Sequence, residues 1–307
     1  ASDLGLAQLY TEGRAVAEGA IRRAMDILDT AGEPLMCAHA RIHLGIVLRR
    51  SSELDSADHA VDEAMRVFIQ LNNTYGVAKA TLLKGEIEHS RGHFEEARAL
   101  GQKALQQHEA IGDAHGVALT LLYLGQWELE SGDLDRAEEQ LQHAIVMFEK
   151  GSILLYHPLA QLQLGRAAEE RGDLDRAREF YADGIKRARD AENREVEALG
   201  AALMGGLSLI MGRLSQARGF LTTALQVANA IDEIELRVLA TFGVAWVETL
   251  AGNAVNRKRH LQELHALLDA SPTRDFYLRE RVSRVAKAVK VVRGAKEADW
   301  YRMTALE

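Results

Sequence analysis

Apolar and polar residues alternate along the chain in paired runs of helical period. Between Gly112 and Gly151 there are two such runs. In the first, about residues 115–131, Leu121, Leu124 and Trp127 recur at helical spacing. In the second, about residues 134–150, Leu134, Ala137, Leu141, Ala144, Ile145 and Phe148 fall on one face. Gly132 separates the runs and suits the left-handed conformation that closes a helix. Asp133 follows where a side-chain oxygen caps the next one. Gly172-Asp173-Leu174-Asp175-Arg176-Ala177 repeats this grammar. The pattern predicts two helices joined by a tight turn.

The unit recurs every forty residues. Glycines stand at Gly5, Gly45, Gly85, Gly125, Gly165 and Gly205, with Ala245 next. Alanines keep the step at Ala17, Ala57, Ala97, Ala137, Ala177 and Ala217. Further rows are Ser52, Gly92, Gly132, Gly172, Gly212, Gly252 and Ala24, Ala64, Ala104, Ala144, Gly184, Ala224. Four rows in one phase predict a solenoid of stacked helix pairs. Small residues let the backbones of antiparallel helices approach where they cross. No Gly-x-x-x-x-Gly-Lys-Ser/Thr occurs and no strand precedes a glycine, so the rows are structural rather than phosphate loops. Pro34, Pro158 and Pro272 fall in or beside connections between periods.

Composition narrows the picture. The 307 residues are 47% hydrophobic and 6% aromatic with 3 prolines, a balance that favours helices over sandwiches and barrels. A formal charge of -8 argues against a chain that coats nucleic acid over its whole surface. Cys37 is the single cysteine, which excludes an internal disulfide framework and a cysteine-cluster zinc site. Asp3 and Glu12 stand where a secretory signal needs a basic start and an apolar run. The longest uncharged stretch, 198–212, is shorter than the ~20 apolar residues of a membrane span. A cytoplasmic location is the expectation. Ala1-Ser2 and Leu306-Glu307 read as cloning residues, so a piece of a longer protein is expected.

Leu124-Gly125 followed by Gly132, Leu134, Ala137 and Ala144 resembles the tetratricopeptide repeat, as do Leu164-Gly165, Gly172, Leu174 and Ala177. The usual period is 34 residues, and six more per period lengthen the helices. The aromatic and proline of the common pattern are mostly missing, and Arg257 and Leu264 replace the last small residues, so the seventh period is expected to be degenerate. The longer period and the Ile111-Gly112-Asp113 connection resemble, more narrowly, the regulatory repeat regions of bacterial signal-transduction ATPases and large transcription activators of the maltose-regulon type. The resemblance implies an all-α, right-handed superhelix (α-solenoid) of about seven helix pairs over residues 1–271, followed by a basic capping helix and tail over 272–305. The first helix of each pair would line a concave face. It further implies a non-enzymatic sensor and interaction region of a bacterial regulator. Its partners would be a protein or peptide and a small-molecule inducer, with no cofactor and no membrane. Nucleic acid would be bound only by another module. A passive scaffold and a repeat-containing enzyme subunit are the alternatives.

Three regions of the first helices carry candidate chemistry. The N-terminal one holds His39, His43, Arg49, Arg50, Lys79, Glu86 and His89. It reads as an anion or acidic-peptide site, since Arg and Lys pair with carboxylates, or as a solvated face. His39 and His43 are four apart, but no third ligand accompanies them and no metal is expected. The middle region holds Tyr123, Gln126, Glu130, Arg166, Glu169 and Glu170, a mixture that suits a peptide. Its carboxylates come with no positioned nucleophile, so no catalytic residue is expected. In the C-terminal region Leu199, Leu203, Gly206, Leu209, Ile210, Phe242, Trp246 and Leu250 crowd together, and the run 194–211 is apolar nearly all round. A helix with one outward face is not. Either a neighbouring element or a second chain covers it, making a homo-oligomer one expectation, or it presents a patch for a ligand or partner. Residues 274–296 hold eight Lys/Arg against Asp275 and Glu280, over a stripe of Val282, Val285, Ala286, Val289 and Val292. They read as a capping helix, or as a contact for nucleic acid or an acidic surface.

Overall fold

The computed structural model describes residues 14–151, 155–231 and 234–269, and every regular element among them is an α-helix. In chain order these are α1 (Arg14–Thr30), α2 (Pro34–Arg50), α3 (Leu54–Gln70), α4 (Thr74–Arg91), α5 (Phe94–Ala110), α6 (Ala114–Ser131), α7 (Leu134–Lys150), α8 (His157–Glu170), α9 (Leu174–Asp190), α10 (Arg194–Ile210), α11 (Leu214–Ala230), α12 (Ile234–Leu250) and α13 (Ala254–Asp269). From α2 onward each even-numbered helix packs on the one that follows it, which makes six helix pairs. The remaining helix, α1, stands forty residues before α3 and so takes the place of the second helix in a preceding pair. The fold is the expected α-solenoid. The expected capping helix over 272–305, Pro272, Gly5 and the supposed cloning residues lie outside the described residues.

The turns follow the sequence grammar. Gly132 closes α6 at φ 88°, and Asp133 then accepts the Arg136 backbone N–H at 3.2 Å to start α7. Ser52 occupies the glycine row and still takes φ 63°, so the tight turn is imposed there by the packing of its two helices, at a cost of about 1–2 kcal/mol. Asp113 and Asn193 cap the connections between pairs, accepting from Gly116 N at 3.0 Å and Val196 N at 3.1 Å. Pro34 and Pro158 are the first and second residues of α2 and α8, where no helical acceptor faces the missing N–H.

The small rows mark the helix crossings. Ala57, Ala97, Ala137, Ala177 and Ala217 are fully buried. A Cβ on Gly125 would lie 2.7 Å from Leu141 Cγ, and one on Gly165 would lie 2.5 Å from the Tyr181 ring. Glycine is the residue that fits there.

The chain divides into two compact units, one ending at Tyr156 and one beginning at His157. In the N-terminal unit α2 packs on α4 and α4 on α6; in the C-terminal unit α8 packs on α10 and α10 on α12. No contact of similar extent joins one second helix to the next among the described residues. Within each unit the first helices therefore lie on the inside of the stack. Each unit has its own core. Ile42, Val61, Phe68 and Ile87 sit in the N-terminal one, and Leu162, Tyr181, Leu221 and Trp246 in the clusters of the C-terminal one. None of the described helices is long and apolar enough to cross a membrane.

Candidate functional site on the inner helices

The forty-residue step sets inner-helix side chains in rows, so that positions 46, 86 and 126, or 50, 90 and 130, lie side by side on α2, α4 and α6. In the N-terminal unit these rows are joined by polar contacts. Arg49 on α2 places Nη2 2.9 Å from Glu86 Oε2 on α4. Tyr123 on α6 hydrogen-bonds the same carboxylate, and Arg50 and His89 add positive charge near it. Burial nevertheless holds the Glu86 carboxyl above the usual carboxylate range, because lost hydration outweighs these neighbours. One row further, His89 Nε2 meets Glu130 Oε2 at 2.7 Å, with both side chains 9% exposed. Gln126 Nε2 donates to Glu130 Oε1 at 3.3 Å. The sequence-predicted Arg49, Arg50, Tyr123, Gln126, Glu86, His89 and Glu130 thus converge on one set of groups spanning three helices.

Trp127 supports this set. Its ring stacks on His89 with centroids 5.4 Å apart and planes at 16°. It fits because Gly101 replaces the Val61 and Leu141 of its row: a Cβ on Gly101 would lie 2.8 Å from Trp127 Cζ3. His39 and His43 do not form a joint ligand pair. His43 is buried, and the His39 ring packs 4.9 Å from Phe68 and 6.4 Å from Tyr75. Elsewhere in this unit Glu88, His93 and Glu96 bring ligand-type atoms within 4.8 Å of one another. Glu88, however, is bound by both Arg91 and His93, and Arg91 also reaches Asp55 at 2.8 Å. A cation beside that guanidinium would meet repulsion, so the cluster is an ion-pair network.

In the C-terminal unit Arg166 Nη1 donates to Gln163 Oε1 at 2.7 Å, and the Tyr181 hydroxyl donates to Glu169 Oε2 at 2.8 Å. Burial pushes the Glu169 carboxyl up to about 7, against the Tyr181 hydrogen bond and with help from Glu170. The apolar residues divide. Leu209, Ile210, Phe242 and Trp246, expected as a candidate ligand patch, are core residues packed with Leu221, Val238, Leu264 and Leu267. The covering element is α13, and α10 is apolar nearly all round because α8, α9, α11 and α12 surround it. Leu199 and Leu203 pack half-buried on the unit's core, as does Leu250. Only Gly206 of this group faces open space, with nothing within 4 Å of an added Cβ.

Three contacts escaped sequence reasoning. Trp127 and Tyr181 were legible as large rings in rows of smaller residues, opposite glycines. His108 was legible as a histidine in the row of Phe68 and Phe148. It is buried, its Nδ1 lies 2.8 Å from Asp113 Oδ2, and burial lowers its pKa.

Family models named tetratricopeptide repeat match residues 76–150 and 122–192. Comparison with curated proteins gives no match. Among solved structures, a Rap protein complexed with Competence and Sporulation Factor is similar at a TM-score of 0.71 and 14% identity, over 92% of this chain and 74% of that one. The Rap conjugation gene regulator of the plasmid pLS20, in complex with the Phr* peptide, gives 0.67 and 18%, over 92% and 74%. A signal-transduction ATPase (STAND) protein with a tetratricopeptide repeat sensor, from Pyrococcus horikoshii, gives 0.58 and 17%, over 94% of this chain and 43% of that one. At such identities the likeness concerns the fold. Repeat rows, paired helices and matching models agree over residues 76–192, and that part of the chain is built of tetratricopeptide repeats.

Proposed function

We propose that this chain is a non-enzymatic binding region whose inner helices take a peptide or protein segment, and that it serves as the sensor of a larger regulator. The observation that carries the reading is the joined set of Arg49, Glu86, Tyr123, His89, Gln126 and Glu130 on three successive inner helices. Fixed donors and acceptors at repeated spacing suit an extended backbone and its side chains, because little side-chain freedom remains to be lost on binding. Two structurally similar proteins are described in complex with a factor or a peptide, and a third is described as carrying a repeat sensor, which supports the same use here. A bound segment touching several inner helices would bias the stacking of neighbouring pairs and so pass a signal along the array.

The test is photo-crosslinking with a peptide library, placing the crosslinker in turn on the inner helices and on the outer helix α7. Crosslinks confined to α2, α4 and α6 are the expected result. Equal capture on α7 would refute the reading. A melting screen against small metabolites separates a sensor, stabilised by one compound, from a passive scaffold, stabilised by none.

A further inference from the structure

We propose that the His108–Asp113 pair is an acid-sensitive latch at the connection between α5 and α6, and that a proton taken up at His108 Nε2 releases the start of α6 from the end of α5. The connection lies inside the N-terminal unit. His108 belongs to the row Leu28, Phe68, His108, Phe148, Ala188 and Ala228, and is its one polar member. A glycine of the next inner helix makes room for the ring: a Cβ on Gly76 would run into Phe68, and one on Gly116 would run into His108. Asp113 belongs to the row of caps. Asn73 and Asn193 cap α4 and α10 with an amide oxygen, whereas Asp113 caps α6 with a carboxylate. Histidine and carboxylate thus enter the same connection together, where its counterparts combine Phe68 with Asn73 and Ala188 with Asn193. Asn and Asp cap a helix about equally well, so capping alone does not account for the acid.

His108 is 2% exposed and places Nδ1 2.8 Å from Asp113 Oδ2, while Asp113 Oδ1 accepts the Gly116 N–H at 3.0 Å. One carboxylate therefore holds the last turn of α5 and the first turn of α6. A carboxylate only accepts, so the neutral ring carries its proton on Nδ1 and a lone pair on Nε2. Nε2 is buried, and no hydrogen-bond partner reaches it among the described residues. A proton added there creates a buried N–H without an acceptor and a charge that burial disfavours.

The helices packed on α5 are α4 and α6. From α4, Tyr75 lies within the influence of Asp113; from α6, the charge of His115 opposes a second cation beside it. Burial lowers the His108 pKa from its ordinary 6.5, against the pull of Asp113. The charged ring is relieved by turning out to water, which breaks its bond to Asp113 and loosens the cap. An opened connection takes up the proton near pH 6.5 and a closed one resists it, so the latch holds above that value and weakens as pH falls below it.

The test is hydrogen exchange of the whole chain, read by mass spectrometry at about pH 7.5 and about pH 5.5 and corrected for intrinsic rates. Relative to the Asn193 connection, exchange over residues 113–120 should rise by up to about tenfold at the lower pH. That value is one unit below 6.5, where its proton stabilises a freed imidazole about tenfold. His108→Phe combined with Asp113→Asn repeats the pairing of Phe68 with Asn73, and should abolish the rise while keeping protection at the higher pH. Circular dichroism checks that it folds; if it does not, His108→Gln, which cannot gain a charge, takes its place. His115→Gln should leave the rise intact. An unchanged ratio at the two pH values in the unaltered chain overturns the latch without any variant. So does a rise that survives in the folded double variant, or one that disappears with His115→Gln and so belongs to α6.

Discussion

Helices α4 and α10 occupy the same place in the repeat, three periods apart, and are built from opposite chemistry. On α4 the buried side includes Glu86, Glu88 and His89; 120 residues later the same positions are Gly206, Ser208 and Leu209. Both helices are flanked by a neighbour on either side and by a partner behind. The backbone environment is thus shared, and side chains alone decide whether an inner helix offers charge or adds to a core. In the N-terminal unit the burial of charge is met by partners: Arg49 for Glu86, Glu130 for His89. In the C-terminal unit Leu209 and Ile210 need none, because Phe242 and Trp246 cover them. On the reading proposed above, polar inner rows serve binding, whereas apolar ones add to the cohesion of the unit.

The largest effect should come from the apolar side of this contrast. Trp246 is 1% exposed in the core of its unit, so Trp246→Ala should destabilise by about 3–5 kcal/mol through a cavity that the surrounding helices cannot fill. Peptide capture by the N-terminal unit should be unaffected below the melting temperature. Melting followed by circular dichroism reads the first effect and anisotropy the second. Loss of capture in a folded Trp246→Ala protein would break the division of labour drawn here.

The converse exchange makes α4 resemble α10. His89→Leu should cost roughly 1–3 kcal/mol, because Glu130 loses its partner while remaining almost buried. Pairing it with Glu130→Leu should recover part of that loss, since replacing both partners removes the unmatched charge. A double variant less stable than His89→Leu would show that the network matters for more than its own pairing.

The frame common to both helices was plain in the sequence, and the contrast between them was only partly so. Helix crossings need small residues at fixed steps, and that need wrote the rows at Gly125, Ala137 and Ala144 regardless of what each inner helix presents. The Arg49–Glu86 and His89–Glu130 groups were legible as a polar region because charge is rare where a helix has neighbours on three sides. The apolar region was harder. A run such as 194–211 reads the same whether it faces a ligand or a covering helix. The answer lay in Leu264 and Leu267 of α13, in a repeat whose small-residue rows have lapsed. Long-range packing of that kind leaves no local signature.

A finer comparison tests whether the two units share one crossing geometry. Ala137 and Ala217 are fully buried at equivalent crossings of α6 with α7 and α10 with α11. Leucine at either site should overpack it, costing about 1–3 kcal/mol and by similar amounts. A neutral substitution at one site and a costly one at the other would mean that the crossings differ and that the rows are not equivalent.

The smallest expected effect concerns how the two units carry buried carboxylates. Glu86 faces an Arg49 guanidinium at 2.9 Å, whereas Glu169 faces the hydroxyl of Tyr181 and the like charge of Glu170. Burial pushes Glu169 from 4.5 to about 7, so between those values the folded chain keeps a proton that the unfolded chain has released. Protons are then bound more tightly by the folded state, and the stability contributed by this group falls as pH rises from about 4.5 to about 7, levelling above that. Glu169→Gln cannot lose a proton, so its melting temperature should gain on that of the unaltered chain across this window. Tyr181→Phe removes a donor that favours the charged carboxylate, which extends the falling segment to higher pH. Melting curves for the three proteins from pH 4.5 to 8 read the difference directly. Parallel profiles would mean that Glu169 is already charged in the folded state.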